Sequence, residues 1–104
     1  ILADELFFQN LPNIYQKIDE FLAGIDVLYL TICMDVFNAA IAPGVSATSY
    51  NGIMADSAFM HYFQHILKSE TLIAMDIAEV NPSLDIAERT ARLAASLANE
   101  WLMS

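Results

Sequence analysis

Apolar residues recur along this chain with two distinct periods. Between Pro12 and Gly24 they fall at Ile14, Ile18, Phe21 and Leu22. The spacing i, i+4, i+7, i+8 puts them on one face of a helix. Gln16, Lys17, Asp19 and Glu20 take the opposite face. Asn10 is a candidate cap, Pro12 suits a first-turn position, and Gly24 is a candidate stop. Ile1 to Asn10 reads as a helix end or a connector. A second helical face runs from Ala55 or Asp56 to Lys68, with Phe59, Phe63, Ile66 and Leu67 turned inward and Met60 at the border. A third follows Asp85. Asp85 with Glu88 three residues on reads as a capping box. Ile86, Leu93, Leu97 and Trp101 lie on or near one face of that helix, with Ala94 and Ala98 packing close by.

Two other runs have no helical period. Ile25 to Met34 is almost unbroken apolar sequence rich in β-branched and aromatic residues, and Thr71 to Ile77 is similar. Such runs predict strands buried on both faces, as in an interior parallel sheet. Strand, helix and strand in succession imply a right-handed parallel crossover. With a side-chain period of two, Thr31, Cys33 and Asp35 share a face at the first strand's end. Val36 to Met54 is a polar loop carrying Pro43, Gly44 and Gly52. Its length makes it a candidate active-site loop. Pro82 blocks continuation of the second strand. The expected fold class is α/β.

Composition narrows the partners. The 104 residues suit one domain or part of one. Ile1 stands where an initiator Met would be, so a processed, trimmed or partial chain is expected. Hydrophobic residues make up 57% of the sequence. That is more than so short a chain readily buries, so some surface is expected to face more protein. The net charge is −9, with Lys17, Lys68, Arg89 and Arg92 as the basic residues. Four scattered cations make no patch for nucleic acid or an anionic membrane surface. No apolar run reaches the ~18 residues of a membrane span, and no basic leader with a cleavage site is present. A single Cys33 allows no internal disulfide and fits a reducing, cytoplasmic compartment.

The candidate chemistry sits at the strand ends. Ligands of parallel sheets bind outside the carboxyl ends of the strands. Cys33 and Asp35 end the first strand, and Asp76 and Glu79 end the second. Clustered carboxylates there suit a hard divalent cation, or a cationic, nitrogen-rich substrate. The same residues also serve as helix caps and turn formers. His61 and His65 have the i, i+4 spacing of helical zinc ligands. The helical metalloprotease motif needs Glu after its first His. Tyr62 stands there, so ordinary helix-face residues are expected. Cys33 has no His beside it to act as a base, which favours a buried small hydrophobe. Asp35 as a phosphoacceptor lacks a Lys after a later strand.

Thr31-Ile-Cys-Met-Asp35 followed by Ala42-Pro43-Gly44 resembles the late metal motif and loop of the ureohydrolase family, which includes arginase, agmatinase and formimidoylglutamase. Asp76-Ile-Ala-Glu79-Val-Asn81-Pro82 is similar to the family's next signature. Glu88 to Ala95 is similar to its last helix. Taken together, the motifs look most like the formimidoylglutamase branch. The resemblance spans about Val27 to Leu102. It implies a three-layer αβα parallel-sheet, arginase-like fold, of which residues 1–104 form a C-terminal part with about two parallel strands and three helices. It also implies a pair of Mn²⁺ ions and hydrolysis of the C–N bond of N-formimidoyl-L-glutamate to L-glutamate and formamide. On this resemblance Asp35 ligates manganese, and Glu79 pairs with the substrate's cationic nitrogen. Asp76, Asn81 and Pro82 shape the pocket. Cys33 falls where the family's first metal-bridging aspartate would be, and a thiolate is a softer donor than manganese prefers. The family's earlier ligands, a His and a D-x-H-x-D segment, have no match from Ile1 to Asp26. An incomplete site, inactive alone, is therefore expected. The implied partners are a small-molecule substrate and further copies in a homo-oligomer, with self-association through open sheet edges. Another ureohydrolase activity and a non-catalytic assembly module are the competing readings.

Overall fold

A computed structural model describes residues 11–104; the expectations for Ile1 to Asn10 lie outside the described residues. Helix α1 (Leu11–Ala23) leads to strand β1 (Leu28–Cys33), helix α2 (Ser57–Leu67), strand β2 (Leu72–Ala78) and helix α3 (Arg89–Leu102). Short 3₁₀ turns at Met34–Val36 and Pro82–Leu84 follow the two strands. The strands are parallel neighbours in one two-stranded sheet. The chain divides into two units. One takes the residues up to Leu30 with Ala55–Ala74, the other Thr31–Met54 with Met75–Ser104.

In the first unit the helical periods resolve as packing. Ile14 and Ile18 are buried on α1, and Phe59, Phe63 and Leu67 on α2. Phe59 and Phe63 stack with ring centres 5.5 Å apart, and Tyr62 meets Phe59 edge-on at 5.2 Å. Such pairs add to the area they bury. Asp56 caps α2 by accepting the Phe59 N–H at 3.0 Å, which satisfies one of the helix's otherwise orphaned donors. Phe21 departs from expectation, being 61% exposed. Phe21, Leu22 and Ile66 line a 390 Å³ apolar hollow together with Lys17, Ile18, Leu28 and Leu30. Gly24 follows the end of α1 without the left-handed backbone of a glycine cap.

β1 is not buried on both faces. Tyr29, Thr31 and Cys33 are exposed and alternate with the more buried Leu28, Leu30 and Ile32. Alternation of this kind means that only one face is covered within the described residues. The reading of Cys33 as a buried small hydrophobe is therefore corrected: its thiol lies on the open face. On β2, Ile73 is exposed and the other residues are half-buried.

The second unit is built around a loop. Met34, Phe37, Ala42, Val45, Thr90 and Leu97 are buried in it almost completely. Residues 37–54 fold back on themselves through parallel bridges Phe37–Ile53 and Asn38–Ser49. The Ile53 N–H donates to the Val36 carbonyl at 3.0 Å, and the Asn38 N–H to the Ile53 carbonyl at 2.8 Å. Gly52 permits this return. A Cβ there would stand 2.5 Å from the Phe37 carbonyl carbon.

The start of α3 also differs from the expected capping box. Asp85 does cap the helix, accepting the N–H groups of Thr90 and Ala91 at 3.1 Å each and that of Ile86 at 3.0 Å. Glu88 does not reach back. It sits at φ 60, after Ala87 at φ 52, and makes no side-chain capping bond. Two left-handed residues delay the helix to Arg89, so Ile86 precedes it and is 54% exposed. Leu97 and Thr90 are the fully buried residues of α3, and Leu97 is flanked by half-buried Leu93, Ala94, Ala98 and Trp101.

Candidate functional site

Because the strands are parallel, their C-terminal ends meet at one rim. β1 closes on Cys33 and feeds directly into the turn that carries Asp35. Asp35 is half-buried, and its backbone carbonyl accepts the Ser49 hydroxyl at 2.6 Å. The loop thus holds Asp35 by its peptide. β2 ends at Ala78, and Glu79 follows at once, exposed and at φ 75. A positive φ on a β-branched or long residue is uncommon and concentrates at functional positions. Here it turns the chain out of the strand at the residue singled out for substrate binding. Asp76 stays within β2, half-buried, with its Oδ1 atom out of solvent. Asn81 begins the next turn, its side chain accepting the Ser83 N–H and hydroxyl at 3.2 and 2.7 Å.

The Ala42-Pro43-Gly44 loop is tied to that second rim segment. The Gly44 carbonyl accepts the Asn81 N–H at 2.7 Å. The Gly44 N–H donates to the Thr90 hydroxyl at 2.8 Å, and Thr90 is fully buried. Thr90 was not among the residues that motif reasoning singled out. No local signal set it apart, since Ser96 and Asn99 are uncharged polar residues of the same helix. Around Asp85, burial opposes the charge. Hydrogen bonds from the Thr90 and Ala91 N–H groups, the Thr90 hydroxyl and the Ile86 N–H outweigh it. They hold the carboxyl below the usual aspartate range.

The two histidines sit elsewhere, on α2. His65 Nε2 lies 2.6 Å from Asp19 Oδ1, and its ring meets Tyr15 edge-on. His61 is exposed. Among the described residues no three His, Cys, Asp or Glu side chains come together as a metal-holding group. Asp35 is a hard oxygen donor and Cys33 a soft sulfur. By themselves these two do not fit a two-manganese centre. Among the described residues, no helix is long and apolar enough to cross a membrane.

The Arginase family model matches residues 1–104, the whole of the sequence. This chain belongs to the arginase family. Among curated arginase-family relatives, it is 47% identical to formimidoylglutamase of Ralstonia nicotianae, over 90% of this chain and 29% of the relative. It is 40% identical to formimidoylglutamase of Staphylococcus haemolyticus, over 99% of this chain and 33% of the relative. The chain thus spans about a third of the length of these relatives. Arginase from Bacillus subtilis superposes with a TM-score of 0.85 over 98% of this chain and 38% of that one, at 20% identity, which shows the arginase-like α/β fold. Formimidoylglutamase from Bacillus subtilis superposes with a TM-score of 0.80 at 26% identity, over 88% of this chain and 28% of that one.

Proposed function

We propose that this chain is the C-terminal part of a ureohydrolase-like domain in a manganese-dependent formimidoylglutamase. The reaction is hydrolysis of the C–N bond of N-formimidoyl-L-glutamate to L-glutamate and formamide, in histidine degradation. The observation that carries the reading is Glu79 at φ 75 at the end of β2, within a chain 40–47% identical to relatives named formimidoylglutamase. An exposed carboxylate on a strained turn suits a substrate that is positively charged at the scissile amidine. The two would form a charge-assisted hydrogen bond. Asp76, half-buried three residues earlier, shapes the wall of that pocket.

Asp35 is the residue of this stretch suited to manganese, and Cys33 stands beside it as a poor ligand for the same ion. The remaining ligands lie outside the described residues, so this stretch is inactive alone. The same reading places the enzyme in the cytoplasm, as a homo-oligomer acting on a small molecule. A second reading, a non-catalytic arginase-like assembly module, has the missing third donor in its favour. Another ureohydrolase activity, on agmatine or arginine, is the alternative within the family.

The test is amidine hydrolysis by the full-length protein. N-formimidoylglutamate, agmatine and arginine are each offered with and without added Mn²⁺. Manganese-dependent formamide release from the first supports the reading. Release of urea from either of the others redirects it within the family. No turnover of all three with metal present leaves the assembly module. Replacing Glu79 by Gln is expected to cut kcat/KM by about 10–100-fold, the worth of one hydrogen bond to a charged group.

A further inference from the structure

Gly44 is buried, and both of its peptide groups are committed. Its N–H donates to Thr90 Oγ1 at 2.8 Å, 46 residues away in sequence. Its carbonyl accepts the Asn81 N–H at 2.7 Å, two residues after Glu79. Thr90 is joined to Asp85 in turn, its N–H donating to the Asp85 carboxylate at 3.1 Å. Asp85 is itself held by the N–H groups of Ile86, Thr90 and Ala91. The contact is close on the side-chain side too, because a Cβ at Gly44 would meet the Asp85 carboxyl carbon at 2.6 Å. A single hydroxyl, accepting the Gly44 N–H, thereby sets the orientation of the Gly44 peptide. That peptide sets the position of the segment leaving Glu79.

We propose that Thr90 is a positioning residue for Glu79, acting through the Gly44 peptide and the Asn81 N–H. The inference rests on the reading of Glu79 as the substrate-binding carboxylate. Thr90→Val keeps the shape of the side chain but removes the hydroxyl that accepts the Gly44 N–H. It leaves the buried Gly44 N–H without its acceptor. Glu79 then loses the fixed exit from β2 that aims it at the substrate, while the β1 rim with Asp35 keeps its own tether to Ser49.

The experiment uses the full-length protein and its Thr90→Val, Thr90→Ser, Glu79→Gln and Thr90→Val/Glu79→Gln variants. With N-formimidoylglutamate, Thr90→Val is expected to raise KM about tenfold with a smaller change in kcat, and Thr90→Ser to restore most of the loss. In the double variant the Thr90 effect is expected to vanish, since the group it positions is gone. A KM unchanged in Thr90→Val, or an effect that persists undiminished beside Glu79→Gln, overturns the proposal and leaves Thr90 a purely structural residue. Amide hydrogen exchange at Asn81 is read in parallel and needs no activity. Thr90→Val is expected to speed it and Thr90→Ser is not, and equal rates in both overturn the proposal. Lack of turnover by the unaltered protein counts against the functional reading alone, because the exchange rates still decide the role of Thr90.

Discussion

The residues around α1 and α2 and those around the 37–54 loop are held by different means. In the first group the buried mass is side chain: Ile14, Ile18, Phe59, Tyr62, Phe63 and Leu67, with aromatic rings in contact. In the second, the path of the chain is fixed by peptide groups meeting peptide groups or single side-chain atoms, at Gly44, Gly52, Asn38, Ser49 and Asn81. Volume tolerates small errors, because neighbouring side chains relax into one another. Backbone contacts at hydrogen-bonding distance do not. The candidate chemistry sits on the unforgiving half, where placement matters most.

That contrast can be broken experimentally. The largest effect is expected from Phe63→Ala, which removes a 3% exposed ring stacked on Phe59. A loss of about 3–5 kcal/mol is expected by chemical denaturation, with Phe63→Leu recovering much of it. If Phe63→Leu were as damaging as Phe63→Ala, ring geometry rather than volume would govern this half. Gly52→Ala comes next. One added methyl group has to displace the Phe37–Asn38 backbone, 2.5–2.6 Å away, at an expected cost of about 3 kcal/mol. Gly24→Ala is its control, because the nearest atom there is 3.7 Å off. A stability change within about 0.5 kcal/mol is expected for that control. Equal costs at the two glycines would erase the distinction.

The smallest effect concerns pH. The folded-state pKa of Asp85 is lowered, so its stabilising contribution is fully present above the ordinary value of 3.8. It is lost as pH falls through the lower folded value. Melting curves of the unaltered protein and Asp85→Asn are therefore expected to differ above pH 4 and to converge in more acidic solution. Curves that stay parallel through that range would mean that the carboxylate charge is not what holds the start of α3.

The two halves were also unequally legible in the sequence. Helical spacing located α1 and α2 and most of their buried residues, because periodicity reports a buried face directly. The burial of Tyr62 was not legible because a phenol in a helix can face either way. Burial, with Asp56 nearby, pushes its ionisation far upward. The strand ends bearing Cys33, Asp35, Asp76 and Glu79 were legible as apolar runs stopping at polar residues. Which face of β1 would be covered was not, since an unbroken apolar run looks the same whether one side or both are packed. The contacts of Gly44 with Thr90 and of Ser49 with Asp35 join residues 46 and 14 apart. No local pattern encodes such pairings. The delayed start of α3 escaped for a related reason, because Asp85 and Glu88 have capping-box spacing while the intervening backbone turns left-handed.

The Gly44, Asn81, Asp85 and Thr90 cluster has a practical consequence for anyone who would re-tailor this rim. A loop borrowed from a related family member and spliced in over residues 37–54 would bring its own residue to position 44, while the hydroxyl and carboxylate that receive it would remain those of the host. Grafts of that kind are expected to work as cassettes of two separated segments and to fail as one, however similar the loops look when aligned.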